Sequence, residues 1–135
     1  MNPLDLAASE LLIWGIFLHL VADWLLQNDW MANNKQSPLH PAAWVHAGIH
    51  GILFALIFGW VAFPLTIAHL LIDTRKPVVW WARFIRQTPS TVFMVTNPNT
   101  GGRVALMDMG TMVRIWVDQV FHIFCVGIAA LLVTL

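Results

Sequence analysis

The chain has 135 residues, enough for one compact domain spanning 1–135. Hydrophobic residues make up 59% of it and charged residues only 10%; soluble domains average about a quarter charged, so an ordinary water-soluble domain is excluded. The net charge of zero gives no electrostatic footprint for nucleic acid, and the lone Cys125 excludes an intrachain disulfide.

The composition predicts an all-α, integral membrane four-helix bundle. The first helix, about 4–26, holds only Asp5, Glu10, His19 and Asp23 as ionisable groups. It lacks a basic leader and a small-residue cleavage site, so it is read as a retained helix rather than a signal peptide. A polar stretch follows, with Asn33, Asn34, Lys35 and two prolines. His40, between Pro38 and Pro41, reads as a solvated loop residue or one that approaches the membrane site from above. Asp29, beside Trp30 and Met31, reads as part of an interfacial loop or helix end, with an acid/base role as the sharper alternative.

The second helix, about 42–58, turns at Gly59 into a third, about 61–73. Each is short for a bilayer core of about 30 Å, but together they make a helical hairpin. The loop 74–108 contains Arg75, Lys76, Arg83, Arg86 and Arg103, and a turn-rich run at 97–102. Its stretch 78–86 mixes aromatic and basic residues at helical spacing. That suits a helix lying in the interface plane, or simply the frayed end of the third helix. The fourth helix occupies about 109–135. Trp14, Trp24, Trp44, Trp60 and Trp116 read as packing or interfacial-belt residues.

Basic residues set the expected orientation. Lys35 lies in the first loop, and Arg75, Lys76, Arg83, Arg86 and Arg103 in the third; the remaining turn and both termini carry no Lys or Arg. The positive-inside rule therefore predicts a multi-pass protein of the inner (plasma) membrane with basic loops in the cytoplasm and both termini outside.

Each predicted span carries one acid-or-histidine pair spaced four residues apart: His19/Asp23, His46/His50, His69/Asp73 and Asp118/His122. That spacing is about one helical turn, so both members share a face. The chain has twelve His and Asp residues; random placement at that density gives about one such pair. In the predicted topology all eight side chains lie at similar depth toward the cytoplasmic side. Ionisable groups inside a bilayer cost several kcal/mol unless paired or bound, and inward ligands at one level are how helix bundles build dimetal sites.

Five imidazoles and three carboxylates without thiolate favour a divalent metal: zinc first, with manganese or iron as alternatives, and a pair of ions by ligand number. Gln27 and Gln119 are candidates to orient the ligands. Arg75 and Lys76, next to Asp73, are positive-inside anchors or, in the sharper reading, a clamp for an anionic headgroup. A bland reading stands beside the metal reading. Intramembrane His/Asp pairs also serve as purely structural interhelical hydrogen bonds.

The string His19-x3-Asp23-x3-Gln27-x-Asp29-Trp30-Met31-x3-Lys35 resembles the opening of a family of small bacterial and phage membrane proteins known as domain of unknown function 3307. So do His46-x3-His50, His69-Leu70-Leu71-Ile72-Asp73-x2-Lys76 and Asp118-Gln119-x2-His122. The resemblance covers the chain apart from about 78–107. It implies a four-helix membrane protein with these polar positions, and no reaction. A looser similarity, in intramembrane His and Asp motifs alone, runs to inner-membrane metal-dependent hydrolases, ceramidase-type zinc hydrolases and membrane di-iron hydroxylases. The adjacent His-His pairs of the hydroxylases are missing here.

Three functions follow as expectations. The first is a metal-dependent hydrolase acting on a lipid or lipid-linked substrate near the cytoplasmic leaflet, with water as nucleophile. The second is a non-catalytic accessory subunit of a larger membrane complex, including a pigment- or haem-carrying one; the paired aspartates argue against haem. The third is a metal-ion carrier, for which four spans are few unless the chain forms a homo-oligomer.

Overall fold

The computed structural model describes residues 4, 6–85, 94–96, 98–105 and 109–135. Asp5 and Arg86 lie outside the described residues, as does the end of the predicted loop at 106–108.

Helix α1 (Ala8–Leu20) runs directly into a π-helical turn at Val21–Leu25, closed by the Leu26 N–H donating to the Val21 carbonyl at 3.1 Å. A short helix α2 (Asp29–Asn34) follows, its first turn capped by the Asn28 side chain, which accepts from the Met31 N–H at 3.0 Å. Helix α3 (Pro41–Phe58) starts with proline, whose missing N–H costs nothing in a first turn. There His40 Nδ1 accepts from the Ala42 N–H at 3.1 Å. His40 is therefore a helix cap, packed on Trp30, rather than a residue over the site.

Gly59, at φ 57°, and a 3-10 turn reverse the chain into α4 (Ala62–Asp73). Helices α5 (Lys76–Phe84) and α6 (Met109–Thr134) complete the set. Between them lies a two-stranded antiparallel hairpin of β1 (Met94–Thr96) and β2 (Arg103–Ala105), with Val95 opposite Val104.

Among the described residues, three helical stretches are long and apolar enough to cross a membrane: Ala8–Leu25, Pro41–Asp73 and Met112–Thr134, with mean hydropathy 1.4, 2.2 and 1.9. As a straight helix the 33-residue middle stretch would reach about 50 Å, well beyond a bilayer core of about 30 Å. It folds back at Gly59, so that His46 meets Asp73 and His50 meets His69 across an antiparallel pair. Helices α1, α3, α4 and α6 pack in that order around the bundle, each against its two neighbours.

The burial pattern places large apolar side chains outside and histidines inside. Ile52, Phe63 and Phe124 face outward, while His19, His46 and His50 are 0% exposed. Trp14, Trp24, Trp44, Trp60 and Trp116 all face outward as well, which fits a belt better than core packing. One half of the interior is apolar, built on Leu11, Phe54, Phe58, Leu65, Val126 and Ala129. Gly15 lets α1 close on it. A Cβ there would lie 2.5 Å from Val126 Cγ1 and 2.9 Å from Phe58 Cζ.

Stretch 78–86 read two ways in the sequence. In the structure α5 is a separate helix rather than a frayed end. Arg75 adopts a left-handed conformation (φ 60°) that ends α4, and Pro77 opens the next first turn. The short helix α2 and the β hairpin have no counterpart in the sequence reading. Both lie in segments without a long apolar repeat.

Candidate metal centre

The other half of the interior is polar. The end of α1, the start of α3, the end of α4 and the first half of α6 meet at one level. There they bring seven of the eight predicted residues into burial: His19, Asp23, His46, His50, His69, Asp73 and His122, each at most 8% exposed. Asp118 is half-buried at the edge. Asp23 sits inside the π-helical turn of α1, an irregularity that recurs at functional sites because it re-aims side chains against the helical repeat.

The two buried carboxylates organise the cluster. Asp23 Oδ1 lies 3.1 Å from His46 Nε2 and 3.3 Å from His50 Nε2. Asp73 Oδ2 lies 3.3 Å from His46 Nε2 and 3.2 Å from His69 Nε2, and Asp73 Oδ1 lies 3.9 Å from His122 Nε2. The rings of His50 and His69 approach to 3.6 Å between centroids, and those of His69 and His122 to 4.3 Å. His69 Nε2 and His122 Nε2 are buried with no hydrogen-bond partner among the described residues, and so are the Nδ1 atoms of His19, His46, His50 and His69.

Among the described residues, two ligand groups emerge from these positions. One is Asp23, His46, His50 and His69; the other is His69, Asp73 and His122. Within each, one donor atom per residue lies within 4.8 Å of the others. They share His69, so two ions would leave each with about three protein ligands and an open position. Asp73 reaches imidazoles of both groups.

His19 and Asp118 fall outside both groups. His19 Nε2 lies 3.4 Å from Asp23 Oδ2 and 3.1 Å from Gln119 Oε1, and Gln119 donates to Asp23 Oδ2 at 3.0 Å. His19 and Gln119 thus hold the outer oxygen of Asp23 while its inner oxygen faces the imidazoles. His122 Nδ1 is 3.0 Å from the Asp118 carbonyl and 3.6 Å from its carboxylate. Such contacts to the far nitrogen fix a ligand's tautomer and ring orientation. Gln27 takes no part in this network. Its buried Oε1 has no hydrogen-bond partner among the described residues, and it lines the cleft above the cluster.

The residue that sequence reasoning misses is Lys35. Its ammonium reaches from the segment after α2 to 3.1 Å from His46 Nε2, 3.4 Å from Asp23 Oδ1 and 3.3 Å from Asp73 Oδ1. Lys35 stands in the motif that carries the family resemblance, and that was the available signal. A lysine in a polar loop otherwise reads as a topology charge. Asp29 is exposed at the start of α2, outside the cluster.

A cleft of about 200 Å³ leads from the cluster to the surface, lined in part by Gln27, Lys35, Arg75 and Asp118. Lys76 is exposed and does not line it, so of the predicted anion clamp only Arg75 faces the site. On the opposite side Phe54, Leu65, Cys125 and Val126 close against His19, His69 and His122, leaving no room for a water molecule.

Residues 11–135 match the family model described as "Protein of unknown function (DUF3307)", and the chain belongs to that family. The match takes in the loop that the motif resemblance left out. No curated protein and no solved structure matches the chain.

Proposed function

We propose that this protein is a multi-pass membrane metalloenzyme that holds a pair of divalent ions, zinc first among them, between its helices. It hydrolyses a lipid or lipid-linked substrate at the cytoplasmic leaflet of the inner membrane. The observation that carries this reading is the convergence of buried donor atoms, two of whose imidazole Nε2 atoms have no hydrogen-bond partner among the described residues. Four-coordinate zinc with bonds of about 2.0–2.1 Å places its ligands about 3.3 Å apart. The contacts among Asp23, His46, His50, Asp73 and His69 run from 3.1 to 3.3 Å. His69 Nε2 has that separation from Asp73 but makes no hydrogen bond. Lone-pair donors around one ion have this spacing, and so has the hydrogen bond between His50 Nε2 and Asp23 Oδ1 at 3.3 Å; it is the buried Nε2 atoms of His69 and His122, without a hydrogen-bond partner among the described residues, that an ion would satisfy.

Bound ions would supply Lewis acidity and an activated water. The chain's own residues do the rest. His19 and Gln119 fix Asp23, Asp118 orients His122, and the apolar floor excludes water from below. The cleft lined by Lys35 and Arg75 gives access at headgroup depth. Lys35 and Arg75 line it, which supports a cytoplasmic opening with both termini outside.

A second reading has one observation in its favour. The Lys35 ammonium pairs with both buried aspartates, as it would in a purely structural polar core of an accessory subunit. Metal content by mass spectrometry on gently purified protein separates the two. The metalloenzyme reading expects near-stoichiometric zinc, manganese or iron, lost in a His50→Ala/Asp73→Asn double variant. Absence of metal from the unaltered protein refutes it.

A further inference from the structure

We infer that the cleft above the cluster is a binding site for the phosphate group of an amphiphilic phosphate ester. This inference rests on the dimetal reading and names the substrate class of that same site. Arg75 and Lys35 face the cleft from opposite elements, the α4–α5 junction and the segment after α2. Arg75 is held there in a left-handed conformation (φ 60°), which a non-glycine residue adopts only at some energetic cost. The guanidinium fork suits two phosphate oxygens, and the lysine ammonium supplies a point charge deeper in. Gln27 adds a buried amide whose oxygen has no hydrogen-bond partner among the described residues; turned over, the same amide presents N–H donors.

Charge sets a condition. The carboxylates of Asp23, Asp73 and Asp118 line the same cleft and outnumber its two cationic side chains. Alone, the cleft repels an anion; two dications reverse the sign. Phosphate binding must therefore depend on metal, whereas binding of a cationic headgroup would weaken with it.

Size and surroundings choose the rest of the ligand. About 200 Å³ is below the ~300–1,000 Å³ of sites that enclose whole small molecules. The cleft holds a headgroup and not its tail. Trp24 and Ile115 form part of its wall and are exposed on the outer face of the bundle, Trp24 at 73%. An acyl or prenyl chain leaving past them stays in the apolar surroundings that the bundle's exposed Leu, Ile and Phe residues require.

The test uses the full chain in detergent, loaded with zinc, and isothermal titration with dioctanoyl phosphatidic acid, dioctanoyl glycerol and inorganic phosphate. Phosphatidic acid is expected to bind in zinc-loaded protein only, with dioctanoyl glycerol at least tenfold weaker. Arg75→Gln is expected to weaken it roughly tenfold, with zinc content unchanged, and Arg75→Lys to recover part of the loss. Inorganic phosphate that competes with phosphatidic acid places the phosphate group in the cleft. If it binds as tightly as the lipid, the ligand is a soluble phosphate and the amphiphile is overturned. Equal binding of dioctanoyl glycerol, or an Arg75→Gln variant that binds like the unaltered protein while keeping its zinc, overturns the phosphate site and leaves the metal reading standing. Protein that takes up no zinc fails at the earlier step and removes the basis of both.

Discussion

Replacing Asp73 by asparagine probes the centre most directly, because the change keeps shape and removes one charge and one anionic donor. The carboxylate lies 3.2–3.3 Å from His46, His69 and Lys35 and 3.9 Å from His122. Loss of a residue that merely orients a metal ligand costs about 10–100-fold in affinity, and loss of a ligand exceeds that. For the unaltered protein in zinc at 100 times its dissociation constant, binding stabilises the fold by about 2.7 kcal/mol. A hundredfold weaker site at the same zinc concentration keeps only about 0.4 kcal/mol of that. The assay is thermal unfolding in detergent with zinc and with chelator, alongside metal content. The expected result is a zinc-dependent rise in melting temperature that nearly vanishes in Asp73→Asn. A purely structural polar core predicts something else: a loss of about 3–5 kcal/mol on breaking a buried ion pair, the same with or without zinc. A variant that keeps both its metal and its zinc-dependent stabilisation would refute the assignment of Asp73.

Other substitutions test other layers. Gln119→Leu removes the bond that holds the outer oxygen of Asp23; zinc affinity by chelator competition should fall about 10–100-fold. Lys35→Met removes a cation that shares lone pairs with the proposed ions. The expected zinc affinity is at least that of the unaltered protein, the opposite of the aspartate variants. Gly15→Leu forces a side chain into a gap where even a Cβ meets Val126 at 2.5 Å. It should cost about 1–3 kcal/mol, read as a lower melting temperature with unchanged metal per folded molecule. Trp80, exposed on α5, should be quenched by lipids brominated near the headgroup if that helix lies in the interface. Lipids brominated at the chain ends should leave it bright.

The helices were legible because apolar runs of that length leave few other structures. The cluster was legible because polar residues in such runs stand out against their neighbours. A pattern of His and Asp at four-residue spacing says which residues share a face, and all but Asp118 are buried together. It does not say which members of a pair point inward most deeply. His19 and Asp118 satisfy the same spacing as His50 and Asp73, yet fall outside both ligand groups, because His19 Nε2 turns to Gln119 and the outer oxygen of Asp23 and because Asp118 lies at the open edge. Lys35 was not legible from spacing at all. Its approach depends on how α2 folds the chain back, and six helical residues in a polar loop leave only a weak trace in sequence.

The antiparallel pairing of α3 and α4 has one more consequence. Its rungs pass from His46/Asp73 through His50/His69 to Phe54 and Leu65, which with Val126 seal the bundle beneath the histidines. The cluster is thus closed on the side of Phe54, Leu65 and Val126, and the cleft past Lys35 and Arg75 opens on the other side. Conduction through the bundle would need that apolar floor to open, at the expense of the contacts that hold the four helices together. An ion held as proposed would exchange past Lys35 and Arg75 rather than through that floor.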